Sequence, residues 1–204
     1  MKIIIHRGTH QIGDIATEIC TENTRILIDM GDELSLDPDF VSSPLTTPGA
    51  TDTNGKCDAV LFTHYHGDHT GQMTRIRNDI PLYAGPLAKD VMLMSAEHSY
   101  HKDPVLCDRI KTLHSFNGGE ELEIGDIRIT PWSIDHSACD SYLFLIEADG
   151  KRILYTGDFR MHGFRGKALP KILHKIGKVD VLITEGTTLS RPDEKPMSER
   201  ELQQ

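Results

Sequence analysis

The chain has 204 residues, 38% of them hydrophobic, with a formal charge of −9. That length suits one domain able to bury most of its apolar surface. The acidic balance argues against a protein that coats nucleic acid with its whole surface, and no apolar run approaches the ~20 residues that span a bilayer.

The opening, Met1-Lys2-Ile3-Ile4-Ile5-His6, is too short and too soon interrupted for a signal peptide. Ile3 to Ile5 reads as a short strand, and His6 to Gly13 as a Gly-containing loop whose His6 and His10 are either cleft or surface residues. Ala16–Cys20 and Arg25–Asp29 flank Glu22-Asn23-Thr24 as a hairpin. Residues 34–58 are rich in Ser, Thr, Pro, Asp and Gly and predict a long loop near one rim of the site.

Ala59 to Phe62 is an apolar run that predicts a buried strand, and it empties into His64, His66, Asp68 and His69. His64 and His66 are two apart, so in extended chain both rings point to one side. Gly67 lets the backbone turn and aim Asp68 and His69 elsewhere. Three imidazoles and a carboxylate suit a borderline cation, zinc first, with iron or manganese also fitting.

Beyond it, residues 70–77 predict a helix and Leu82–Ala84 a strand. Pro86 opens a helix to about Tyr100, with Leu87, Val91, Met94 and His98 near one face. His98 and His101 have no partner spacing and read as surface or rim. Glu121–Ile124 and Ile127–Ile129 form a hairpin about Gly125-Asp126, and Tyr142–Ile146 with Arg152–Tyr155 another about Asp149-Gly150. Arg-Ile-Leu recurs at 25–27 and 152–154, each time followed by a Gly-Asp pair, which hints at two similar half-sheets. Leu169–Ile176 predicts an amphipathic helix and Val179–Ile183 a buried strand. The strands at 59–62, 127–134, 152–156 and 179–183 each end in a ligand-type side chain, the last three delivering His136, Asp158 and Glu185. Sites in layered α/β proteins gather at such ends. Residues 151–178 hold eight Lys or Arg and one acid, Asp158. That is either a solvated basic face or a surface for a phosphate-bearing substrate. Cys20, Cys57, Cys107 and Cys139 show no Cys-x-x-Cys pairing and read as reduced residues of a cytoplasmic chain. Cys139, three residues past His136, lies near the site or packs.

His64-x-His66-x-Asp68-His69 resembles the signature of the metallo-beta-lactamase superfamily. The resemblance implies an α/β fold, an αβ/βα sandwich with a one- or two-metal hydrolytic site at its edge. It assigns His64, His66 and His136 to one metal, and Asp68, His69 and Asp158 to a second, with Asp158 bridging. Two divalent ions of this kind, zinc with manganese or iron as alternatives, polarise a scissile group and generate a hydroxide near neutral pH. Asp68 would orient that hydroxide, and Asp29 would orient the metal-bearing loops by hydrogen bonding. Aspartate rather than cysteine at 158 points towards phosphodiesterases and thioesterases.

Asp135-His136-Ser137, Thr156-Gly157-Asp158-Phe159 and Glu185-Gly186-Thr187 together resemble the beta-CASP nucleases, ribonuclease J in particular. Glu185 matches their acidic motif, which adds it to Asp68 as a catalytic candidate. The cap and the later histidines of that branch have no counterpart here, since only His162 and His174 follow His136. Residues 1–204 are therefore expected to be the N-terminal portion of such a domain, lacking the cap and the C-terminal elements, with 188–204 a polar tail. The expected function is metal-dependent phosphodiester hydrolysis on RNA, without a membrane partner. The alternatives are a small-molecule hydrolase, such as a glyoxalase II-like thioesterase or a lactonase, and an inactive half-domain that needs a missing segment or pairs as a homodimer.

Overall fold

The computed structural model describes residues 1–37, 39–99, 102–189 and 197–204. The first sheet takes β1 (Lys2–Arg7), β2 (Ala16–Cys20), β3 (Arg25–Ile28), β4 (Ala59–Leu61), β5 (Leu82–Ala84) and β6 (His114–Ser115) side by side in chain order. β1 to β3 run antiparallel, and β3 to β6 parallel. Between these strands lie α1 (Gly67–Thr70), α2 (Pro86–His98) and α3 (Pro104–Lys111). The second sheet is β7 (Leu122–Ile124), β8 (Ile127–Ile134), β9 (Ser141–Ala148) and β10 (Lys151–Tyr155), all antiparallel. After α4 (Leu169–Ile176), β11 (Val181–Ile183) joins β10 in parallel at the edge. The short α5 (Glu199–Leu202) comes last.

Side-chain alternation explains the layering. Along β9, Tyr142, Phe144 and Ile146 face the first sheet, meeting Ile19, Ile26, Ile28 and Leu61. Leu143 and Leu145 point the other way, onto Leu169 and Ile176 of α4. Val60 and Phe62 leave the opposite side of the first sheet for Met92 and Ala96 of α2 and Ile110 of α3. The result is an αβ/βα sandwich, and it explains why the run 59–62 is apolar without a break: both faces of β4 are covered. Phe62 and Phe144 are fully buried, each contributing about 1.5–3 kcal/mol relative to exposure.

Several elements depart from expectation. The helix expected over 70–77 is interrupted after Thr70 and resumes only as a 3-10 turn, Met73–Arg75. The Gln72 amide donates to Met30 O at 3.0 Å, and the Gln72 side chain binds Ser43 O and the Leu45 amide. The same side chain, with Arg7 on Ser43 O and Pro44 O, anchors the long 34–58 loop. α2 stops at His98, and Tyr100 and His101 lie outside the described residues, as does Arg191. Its buried face is Ala88, Met92 and Ala96, while Leu87 and Met94 are 55% and 60% exposed. Small side chains let this helix approach the sheet closely, so the large ones do not mark the packed stripe. α3 has no counterpart among the expected elements, although Asp103-Pro104 carries its start: Asp103 accepts the Leu106 amide at 3.0 Å. β11 is an edge strand and not a buried one, with Leu182 58% exposed. Beyond it, α5 is tied back, the Glu199 amide donating to His162 O and the Glu199 carboxylate accepting from the Phe164 amide.

Asp140 joins the two halves. One oxygen accepts the Ala88 amide in the first turn of α2 at 3.0 Å, and the other accepts the Tyr142 hydroxyl at 2.7 Å. Gly85 beside it has no room for a Cβ, which would lie 2.3 Å from Asp140 Oδ2. The loop carrying His136 is thus fastened from the second sheet to a helix on the first.

Candidate metal centre

β4 ends at the rim of the sandwich, and the chain from Thr63 to Thr70 folds over that rim. His64 is buried, and its Nδ1 lies 3.1 Å from Thr63 Oγ1. That hydroxyl already donates to Asp29 at 3.0 Å, so it accepts from His64 Nδ1–H. The tautomer leaves His64 Nε2 with a free lone pair. His66 Nδ1 sits 3.0 Å from that Nε2 and 3.4 Å from His136 Nε2, His136 arriving on the loop after β8. In a tetrahedral site with ligands at about 2.0–2.1 Å, neighbouring ligand nitrogens stand about 3.3 Å apart. The three imidazole nitrogens thus converge at the spacing a cation needs.

A second group of donors, His64, His69 and Asp158, also lies within 4.8 Å atom to atom. His69 Nδ1–H donates to Asp29 at 2.9 Å, which aims Nε2 into the site. That Nε2 is buried and has no hydrogen-bond partner, 3.5 Å from Asp158 Oδ1 and 3.7 Å from Asp68 Oδ2. An orphaned ring nitrogen between two carboxylates fits a divalent ion. The two oxygens of Asp158 face different groups, Oδ1 towards His69 and Oδ2 towards His136 at 3.9 Å. Asp68 stands beside the second group on the cleft wall, and His64, not Asp68, completes its closest set.

Asp29 has four donors around it. It accepts the Thr63 amide at 2.8 Å and hydroxyl at 3.0 Å, His69 at 2.9 Å and the Tyr155 hydroxyl at 3.3 Å. Thr63 and Tyr155 escape a sequence reading, the first as a spacer between ligands and the second as an ordinary core aromatic. Glu185 lies outside both donor groups and accepts the Phe159 amide at 2.8 Å, bracing the turn that presents Asp158. Asp158 and Glu185 also border a cleft of ≈ 570 Å³ running past His10, Gln11, Asp68 and His69 to Thr187. His6 pairs instead with Glu18 at 2.9 Å. All four cysteines are free thiols; Cys139 is exposed, with Tyr65 Oη 3.9 Å from its sulfur.

Burial, helped by neighbouring imidazoles, lowers the pKa of His64. Burial likewise lowers His66 and His136, keeping all three in the neutral form a metal requires. For Asp158, burial pushes upward, but His69 and the other two imidazoles outweigh it and the net shift is down. His69 is opposite to the other histidines: burial is overcome by Asp29 and Asp158, and its pKa rises to about 10. A pKa above the unfolded 6.5 gives stability that is complete below pH 6.5 and lost as pH rises through about 10. The three lowered histidines act in the other direction, so their contribution is lost as pH falls below 6.5. Melting temperature in EDTA should therefore peak near pH 6.5 and fall towards pH 10. Saturating zinc, which replaces the His69 proton, should flatten the alkaline side. Equal slopes with and without zinc would show that His69 takes no part in holding metal.

The residues 24–200 match the beta-lactamase superfamily domain. The chain belongs to the beta-lactamase superfamily. It is 29% identical to an RNase J-like protein of Methanocaldococcus jannaschii, over 94% of this chain and 44% of that protein. It is 27% identical to the transcription termination factor FttA of Methanothermobacter thermautotrophicus, over 95% of this chain and 32% of that one. The chain thus spans less than half the length of either relative. A crystal structure of a protein of unknown function from Enterococcus faecalis V583 superposes with a TM-score of 0.75 at 21% identity, covering 98% of this chain and 55% of that one. The sandwich of this superfamily member is the metallo-beta-lactamase fold. No described helix is long and apolar enough to cross a membrane.

Proposed function

We propose that this chain carries the catalytic centre of a dinuclear metal-dependent phosphodiesterase that acts on RNA, in the beta-CASP branch of the superfamily. The observation that carries the reading is Asp158, whose two oxygens face the His64–His66–His136 and the His64–His69 donors separately. A carboxylate with one oxygen turned to each donor group would suit two ions better than one, and two ions would serve an in-line phosphodiester displacement. The names of the relatives, an RNase J-like protein and a transcription termination factor, support RNA as the substrate.

Divalent ions bound here, zinc with manganese or iron as alternatives, would supply Lewis acidity and lower the pKa of water. The protein's own residues do the rest. His64, His66 and His136 would hold one ion, and His69 and Asp158, with His64 or Asp68 beside them, would hold the second. Asp68, partly exposed on the cleft wall, orients the attacking water and takes up its proton on a carboxylate oxygen. Asp29 keeps His69 and Thr63 in register. Glu185 acts through the Phe159 amide as a positioning residue for Asp158.

The test is release of nucleotides from labelled RNA, with a thioester substrate run in parallel at matched metal. The expected result is RNA cleavage that EDTA abolishes and that Asp158→Ala reduces by at least about 100-fold. RNA cleavage that survives Asp158→Ala, or hydrolysis confined to the thioester, overturns the reading.

A further inference from the structure

The sequence from Phe159 to Lys178 holds six Lys or Arg and not one acid. The fold divides the basic residues into spent and free. Lys151 and Arg152, earlier on β10, pair with Asp180 and Glu147 at 3.0 Å each. Arg160 is held between Asp135 and Glu199. Arg165, Lys167 and Lys171 are exposed and have no carboxylate within 4.0 Å among the described residues. Lys167 sits in the 3-10 turn Gly166–Ala168, and Lys171 follows in the first turn of α4.

This segment borders the metal centre. The Arg160 amide donates to Asp135 O at 2.8 Å, one residue before His136. Gly163 packs on the Asp135 carboxylate so closely that a Cβ would lie 2.1 Å from it. Arg165 binds Ser133 Oγ on β8. Between them Phe164 is 48% exposed, its amide fixed by Glu199 at 3.0 Å. An exposed ring held by its backbone, followed in the chain by cations without a carboxylate partner, has the chemistry that binds single strands.

We infer that Phe164 is a stacking platform for one base of a single-stranded RNA, and that Arg165, Lys167 and Lys171 bind the phosphates that follow it away from the metal centre. The inference rests on the phosphodiesterase reading and names the substrate's path. Cation contacts along a single strand steepen the salt dependence by about 0.7 per phosphate, whereas stacking adds affinity without ions. The two halves of the track therefore have separate signatures.

The test is fluorescence anisotropy of a labelled oligo-uridine strand of about 12 nucleotides, within the usual site size, with the whole chain in EDTA so that nothing is cleaved. Phe164→Ala should weaken binding about ten-fold at unchanged salt slope, and Phe164→Trp should restore it. Lys167→Gln with Lys171→Gln should reduce the slope by about 1.4. Isotherms that superimpose on the parent for both variants overturn the inference, as does a parent that fails to bind the strand at low salt. Equal losses on a duplex overturn the stacking role. Cleavage that needs Asp158 while the track variants behave as parent defeats this inference alone. Binding that needs the track without cleavage defeats the phosphodiesterase reading alone.

Discussion

Asp29→Ala should cost about 3–5 kcal/mol of stability, because it strips a fully buried carboxylate from partners that stay buried. Asp29 is 0% exposed and receives the Thr63 amide and hydroxyl, His69 Nδ1–H and the Tyr155 hydroxyl. None of these donors gains water when the acceptor goes, since Thr63, His69 and Tyr155 are themselves buried. The residue also has a left-handed backbone, φ 59°, which aspartate tolerates better than alanine. The second effect is on metal. His69 loses the bond that aims Nε2, and His64 loses its tautomer lock, because the Thr63 hydroxyl is free to turn. Loss of such an outer hydrogen-bond partner lowers metal affinity about 10–100-fold. Urea unfolding of the metal-free chain and zinc titration of Asp29→Ala measure the two effects separately. Parent-like zinc affinity in a destabilised variant would leave Asp29 a structural residue only.

Gly31→Ala should be at least as damaging, about 4 kcal/mol or more, through backbone and not through chemistry. A Cβ at Gly31 would lie 1.5 Å from Asp68 O and 2.0 Å from its carbonyl carbon. Neither atom belongs to a flexible side chain, so one segment must move. Both segments are bonded in place: Met30 N donates to His69 O, Ile15 N to Asp68 O, Gly31 N to Ile15 O, and Asp32 N to Gly67 O. Moving 67–69 away drags Asp68 and His69 off the second donor group while leaving His64 and His66 on β4's extension. The expected result is a large loss of stability by urea titration. In whatever folds, the His64–His66–His136 position should still take one equivalent of zinc. Parent-like stability in Gly31→Ala would overturn the close approach of these two segments as a constraint on the fold.

The parts of the molecule legible in the sequence are those where one residue's environment is set by its neighbours in the chain. Ala59–Phe62 is apolar at every position because both faces of β4 are covered, and the histidines that follow inherit their location from that strand. His136 and Asp158 are legible for the same reason, at the ends of β8 and β10. What the sequence conceals is set across the sandwich. Asp140 looks like any turn residue, yet it accepts the Ala88 amide 52 positions away. Tyr155 looks like core, yet its hydroxyl reaches Asp29. The α2 stripe is misread because packing there runs on Ala88 and Ala96, whose small size carries no hydrophobic peak. Membership of the second donor group is a matter of ångströms: His64 and Asp68 both stand near His69, and only the folded positions rank them.

The Asp140 tie has a wider consequence. Because one carboxylate clips the His136 loop to a helix on the far layer, the ligand cage belongs to neither sheet alone. The third imidazole has a fixed address only when the layers are docked, so metal binding and closure of the sandwich favour one another. Any thermal breathing that parts the two layers would loosen the donor cage.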